Sequence, residues 1–194
     1  MNDEEEVWRR ARDGSGEAFA ELFRMHRDSV FRRAAAMLDQ AHDAEDATAV
    51  AFFELWRRRR SVRVVNGTVL PWLLVTVANT ARNQRRSVNR YRRLLASMPR
   101  EETQDAESEA AGRIDAQILG IRLRDALATL KPDDAALLVL TTLDGLSVAD
   151  AAQVIGVKPG TARMRLKRAR DGLKADLGSE HPRSTRYDAE GELA

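Results

Sequence analysis

The chain has 194 residues, of which 43% are hydrophobic and 32% charged, with a formal net charge of +2 and no cysteine. That composition describes a polar globular chain of one large or two small domains, and it excludes a disulfide framework or a thiolate metal site. The opening MNDEEEVWRR lacks the apolar core of a secretory signal. The longest apolar run, VLPWLLVTVA, is far below the roughly 18–20 residues of a membrane span, so the reading is a cytoplasmic chain with no membrane insertion.

Charge is sorted along the chain. Residues 1–56 carry net −6, residues 57–93 net +11 with no acid at all, residues 94–157 net −6, residues 158–177 net +5, and the tail 178–194 net −2. Two basic blocks therefore stand in acidic surroundings, each suited to a polyanion.

Period-2 apolar alternation is absent and helical spacing runs throughout, which predicts an all-α fold. Residues 15–38 read as one or two helices, with Phe19, Leu22, Phe23, Val30, Phe31 and Leu38 facing a core. After a break at DQAHD, Asp43 is expected to cap the next helix, with Asp46 in a capping-box-like position and Phe52, Leu55 and Trp56 inward. SVRVVNGTVL, residues 61–70, reads as a loop rather than a hairpin. Pro71 suits the first turn of a long helix whose first half is apolar and whose second half is basic. Arg82, Arg86, Asn89, Arg90 and Arg93 recur there at three or four residues, forming one stripe. Residues 97–118 are acidic and poor in large apolar groups, the composition of a flexible linker. Two small helical domains, 1–96 and 119–177, are thus expected, followed by a disordered tail at 178–194.

The second domain reads as a helix-turn-helix. LRDALATL and PDDAALLVLTTLDG are helical, Ser147 caps SVADAAQVI, and Gly156 turns the chain into VKPGTARMRLKRAR. On a helical wheel Leu166, Ala169 and Leu173 fall within about 40° of Ala162 and pack inward. Gly160, Met164 and Lys167 lie opposite, flanked by Arg163 and Arg168, with Thr161 and Arg165 nearer the boundary. Such a second helix enters a major groove amino-end first. Arg and Lys read guanine, an apolar side chain meets a thymine methyl, and small residues such as Gly160 and Thr161 let the backbone approach. Upstream, Arg82, Arg85, Arg86 and Arg90 are placed to follow phosphates.

These stretches resemble the RNA polymerase sigma factors of the extracytoplasmic-function (ECF) group. DAEDATAVAFFELW is similar to the family's polymerase-docking helix, although Ala49 and Val50 stand where Gln-Glu is usual. PWLLVTVANTARNQRR is similar to the −10 segment through Trp72, Leu73, Asn79, Asn83 and Arg86. LDGLSVADAAQVIGVKPGTARMRLKRAR is similar to the −35 reader, with Met164 where Ser or Thr is frequent. The resemblance implies a protein that binds core polymerase, directs it to promoters and assists strand opening. It implies a −35 surface of Lys158, Gly160, Thr161, Arg163, Met164, Arg165, Lys167 and Arg168. The −10 set would be Arg63, Asn66, Asn79, Arg82, Asn83, Arg85, Arg86 and Arg90. The polymerase-docking set would be Asp43, Glu45, Asp46, Ala49, Val50 and Phe53. The implied partners are the clamp helices of the largest polymerase subunit, the flap of the second largest, promoter DNA, and an anti-sigma factor.

An enzyme is disfavoured. His26, His42 and His181 lack metal-ligand spacing, no Gly-rich phosphate loop or nucleophile motif appears, and neither cofactor nor metal is expected. The alternative to a sigma factor is a stand-alone helix-turn-helix regulator, which predicts a dimer on palindromic half-sites.

Overall fold

The computed structural model describes residues 3–96, 126, 127 and 129–178. Seven helices order these residues: α1 (Asp3–Arg12), α2 (Gly16–Ala35), α3 (Ala41–Arg58), α4 (Leu70–Ala96), α5 (Pro132–Thr142), α6 (Val148–Ile155) and α7 (Pro159–Gly178). No strand occurs among the described residues, and one isolated bridge pairs Val65 with Thr68. The expected linker at 97–118 and nearly all of the tail lie outside the described residues, and of the expected helix at 123–130 only 126, 127, 129 and 130 lie within them.

The first four helices enclose one core. α1 begins on Asp3, Glu4, Glu5 and Glu6 and ends on Arg9, Arg10 and Arg12, the charge order that its dipole favours. It buries Val7, Trp8 and Ala11 against α2. Sequence periodicity did not mark this helix, because three apolar residues in a charged run give almost no pattern. α2 is a single helix, opened by Ser15, whose hydroxyl accepts from the Ala18 amide at 3.2 Å. Its buried stripe of Ala18, Leu22, His26, Val30 and Ala34 repeats every fourth residue. Phe23, expected inside, is 36% exposed; its ring meets Phe52 edge-on at 4.7 Å.

α3 corrects one expectation. It starts at Ala41 with Gln40 at the cap and no side-chain cap bond, so Asp43 lies inside the first turn rather than before it. The Asp43 carboxylate instead accepts from Gln84 Nε2 of α4 at 2.6 Å, a tie between helices. Trp56 is only half-buried, with the Arg59 guanidinium 4.3 Å over its ring. The 27 residues of α4 make it about 40 Å long.

The last three helices pack around Leu137, Leu140, Ala151, Ala152, Val154, Ala162 and Leu166. Asp133 and Asp134 occupy the first turn of α5. Ser147 caps α6 by accepting from the Asp150 amide at 3.1 Å, and Gly156 ends it at φ 83, a left-handed conformation that only glycine adopts freely. The chain crosses to α7 in three residues, which makes α6 and α7 a helix-turn-helix.

The two units touch. Val65, Trp72 and Val75 of the first pack into the core of the second, and α4 lies against α5 and α6. Arg33 of α2 forms an ion pair with Asp144 just past α5. Arg82 donates to the Leu130 carbonyl, and Gln153 Nε2 donates to the Val64 carbonyl at 3.3 Å. This contact decides which candidate residues face solvent.

Candidate functional site

On α7 the wheel reading and the structure agree. Ala162, Leu166, Ala169 and Leu173 are buried. Lys158, Gly160, Arg163, Met164, Lys167 and Arg168 are exposed, Met164 at 61%. Thr161 is half-buried. Arg165 differs from its neighbours: its guanidinium reaches Asp133 at 2.7 Å and Asp134 at 3.8 Å, bracing α7 against the first turn of α5. The face therefore offers four exposed cations, one apolar side chain and a small-residue entry, supported by a paired Arg165.

The upstream set is divided. Asn66, Arg63, Asn83, Arg86 and Arg90 are exposed, whereas Asn79 and Arg85 are half-buried and Arg82 is 5% exposed. Arg85 donates to the Met37 carbonyl at 3.3 Å. Burial works against the charged form of Arg82, with the nearby Arg86 adding to it, so its guanidinium titrates below the ordinary arginine value. A single stripe along α4 is therefore not what the structure shows: Arg82 turns into the contact between the units, while Arg86 and Arg90 point outward. The physical reason is the breadth of the apolar surface at the start of α4, which packs on two sides and draws in the first arginine.

The loop before α4 also departs from expectation. Asn66 and Gly67 stand at φ 54 and φ 74, and Val65 and Thr68 exchange amide–carbonyl bonds at 3.3 and 3.2 Å. Positive φ at both central residues is the mark of a type I′ hairpin turn, for which Asn-Gly is the favoured pair. The dipeptide was visible in the sequence; the flanking runs were too short for the hairpin signal. The turn lifts Asn66 into solvent, while the Arg63 guanidinium rests 3.2 Å from where a Cβ on Gly156 would stand.

On α3 the docking set lies on one outward side: Glu45, Asp46, Ala49, Val50 and Phe53 are exposed and Asp43 half-buried. Phe53 at 63% and Val50 at 43% exposure make a bare apolar surface. Phe23 of α2, a residue that sequence reasoning had sent inward, lines a shallow hollow with Glu45 and Ala49 of the same side. On the α2 wheel Phe23 falls between Val30 and Ala34, so no local signal marked it as exposed. No helix of the described residues is long and apolar enough to cross a membrane.

Comparison with known proteins covers both units. Sigma-70 region 2 matches residues 22–95 and Sigma-70, region 4 matches residues 120–172. RNA polymerase sigma factor CarQ of Myxococcus xanthus is 35% identical over 170 residues, which are 87% of this chain and 94% of that protein. ECF RNA polymerase sigma factor SigE of Mycolicibacterium smegmatis is 33% identical over 171 residues, 87% of this chain and 65% of that protein. The solved structure of CnrH in complex with the cytosolic domain of CnrY aligns with a TM-score of 0.57 at 20% identity, over 93% of this chain and 100% of that one, a likeness of fold. A stand-alone helix-turn-helix regulator would leave the region 2 match, and the unit that carries it, without a purpose. The chain belongs to the sigma-70 family of RNA polymerase sigma factors, in the ECF group: it is not an enzyme but a subunit that directs RNA polymerase to promoters.

Proposed function

We propose that the chain reads a −35 element with α7 and a −10 element with the Asn66 turn and α4, while α3 rides on core polymerase. The observation that carries this is the outer face of α7, where a bare methionine sits among Arg163, Lys167 and Arg168 directly after a left-handed glycine turn. That combination matches a helix entering a major groove. Arg86 and Arg90 follow single-strand phosphates, and Asn66, with Arg63 beside it, meets an unstacked base.

Docking on the clamp helices of the largest polymerase subunit uses Phe53, Val50 and Phe23 as apolar anchors, with Glu45 and Asp46 at the rim. The second unit meets the flap of the other large subunit. Domains bounded near 1–96 and 119–177, joined by an acidic connector, let both sites engage together, so two weak contacts act through effective concentration.

The arrangement of the free chain is a closed one. Arg82 lies under the second unit, so for it to join Arg86 and Arg90 in −10 capture the two units must part. Core polymerase supplies that separation by holding each unit on a different subunit. An anti-sigma factor acts the other way. A groove of about 510 Å³ between Met37, Leu74, Ala78, Ala136, Val139 and Leu143 offers such an inhibitor an apolar bed across both units. All of this takes place in the cytoplasm.

Transcription from a randomised template library with purified core polymerase tests the reading. Adding the chain is expected to create starts that share two sequence elements. Starts identical with and without it would end the proposal.

A further inference from the structure

Beneath the Asn66 turn lies a buried polar knot that none of the sites above uses. Glu4 of α1 is 7% exposed. Its Oε1 accepts from His26 Nε2 of α2 at 2.8 Å, from the Thr68 hydroxyl at 2.7 Å and from the Val69 amide at 2.9 Å. The Thr68 oxygen in turn accepts from the Leu70 amide at 3.1 Å. Val69 and Leu70 open α4, where backbone amides have no partner within the helix. A carboxylate there also meets the positive end of the helix dipole. Glu4 thus caps α4 from a different helix and, through the same oxygen, grips the residue that closes the Asn66–Gly67 turn.

Burial works to raise the Glu4 carboxyl, but the bonds from His26, Thr68 and Val69 together outweigh it and hold the group below the ordinary carboxylate value. It is ionised at neutral pH and accepts from all three donors. Glu4 lies outside the segment matched as region 2, which begins at residue 22, so this support is not supplied by that segment itself.

We infer that Glu4, acting through Thr68, is a positioning residue for −10 recognition: it fixes the height and angle of the Asn66 turn relative to α4. This rests on the reading of that turn as a −10 contact. An isolated two-residue turn bridged by one residue pair is weakly held. Without the grip of Glu4 it would sample orientations in which Asn66 misses the base, and discrimination would fall before affinity for polymerase did.

The test uses holoenzyme assembled from core polymerase and the full chain, on a promoter selected by the wild-type protein and on the same promoter with a scrambled −10 element. Glu4→Ala and Thr68→Val are expected to reduce the ratio of transcription between the two by about tenfold, the loss of one hydrogen bond to a charged group. Thr68→Ser, which keeps the hydroxyl, is expected to restore the ratio, and core affinity is expected to stay at the wild-type level in all three. Equal losses on both promoters, or a Thr68→Ser chain as poor as Thr68→Val, would make Glu4 a support of the fold alone and overturn the inference. Asn66→Ala separates the two levels of the argument. If it leaves the ratio intact, the −10 reading of the turn fails and the inference falls with it. If it lowers the ratio while Glu4→Ala and Thr68→Val do not, only the positioning role is lost.

Discussion

The two helices proposed to face DNA stand in opposite states within one chain. α7 buries a single stripe, Ala162, Leu166, Ala169 and Leu173, and leaves the rest of its circumference to solvent. α4 buries Leu73, Leu74, Val77, Ala78 and Ala81 and offers Trp72 and Val75 as well, so the apolar surface of its first half is broad, with Thr76, Asn79 and Thr80 on the remaining side. A helix with one apolar stripe is finished by packing on one side, here against α5 and α6, whereas a helix with a broad apolar surface must be covered on two. The second cover for α4 is the other unit. The proposed reader of duplex DNA thus presents its whole outer face in the free chain, whereas the proposed reader of single-stranded DNA keeps Arg82 under the other unit while Arg63, Asn66, Asn83, Arg86 and Arg90 remain exposed.

The harshest way to break this comparison is to remove what α4 is covered by. Leu137 is fully buried in the second unit, and Leu137→Ala is expected to cost about 2–5 kcal/mol through lost burial and a cavity. All three tryptophans, Trp8, Trp56 and Trp72, lie in the first unit. If the units are held as one, the tryptophan-monitored urea transition is expected to move with the helical signal, although the substitution lies in the other unit. A tryptophan transition that stays in place would show two independent units and a closed form too weak to matter.

A second test asks what lifts the cover. Phe53→Glu puts a charge on the bare apolar surface of α3 and is expected to weaken core polymerase binding by about 10- to 100-fold, the effect of losing an aromatic anchor at an interface. Asp46→Arg is expected to act in the same direction and less strongly, because rim charges contribute little to affinity. Neither change should alter how α7 binds a −35 duplex. Titration of labelled chain with core, beside mobility shifts on duplex, checks both. Unchanged core affinity would remove α3 from the docking surface.

A smaller perturbation targets the clasp. Arg33 and Asp144 are mostly buried, at 16% and 12% side-chain exposure, and they join the two units. Removing one partner leaves the other without its counter-charge. After allowance for the solvent that reaches the pair, Asp144→Ala is expected to disfavour the closed form by roughly 1 kcal/mol. Free chain carrying the change should bind single-stranded −10 DNA about fivefold better, with duplex −35 binding unaltered. Equal single-strand binding would mean that Arg82 and its neighbours are not limited by the cover.

Much of this was legible in the sequence, for identifiable reasons. The inward stripe of α7, the Ser147 cap and the Gly156 turn are local signals, and each took its expected place. The family assignment followed from the order of its motifs. What the sequence did not yield depends on distant partners. Asp43 reads as a cap locally, but Gln84, forty-one positions away, draws its side chain between helices. Arg82 keeps the spacing of Arg86 and Arg90 yet turns inward, because Leu130 and the second unit lie there. α1 was missed because its stability comes from burying Val7 and Trp8 and from the Glu4 knot, neither of which leaves a periodic trace. Phe23 was sent inward because aromatic residues usually are, while its exposure is explained by the polymerase-docking reading.

The smallest expected effect bears on the exposed reader itself. Met164 lies where Ser or Thr is frequent in the family, and on this fold it is an exposed side chain. If it meets a thymine methyl in the groove, Met164→Thr loses about one methylene's worth of contact, near 0.8 kcal/mol, and preference at a single −35 position should shift by about fourfold. Arg168→Ala, by contrast, should weaken binding on all sequences alike and flatten the salt dependence, because a phosphate contact carries no sequence information. The two substitutions sit four residues apart on one face, so comparing them separates readout from attraction. A uniform loss from Met164→Thr would place that side chain against the sugar–phosphate backbone, and α7 would then read its element through Arg163 and Lys167 without it.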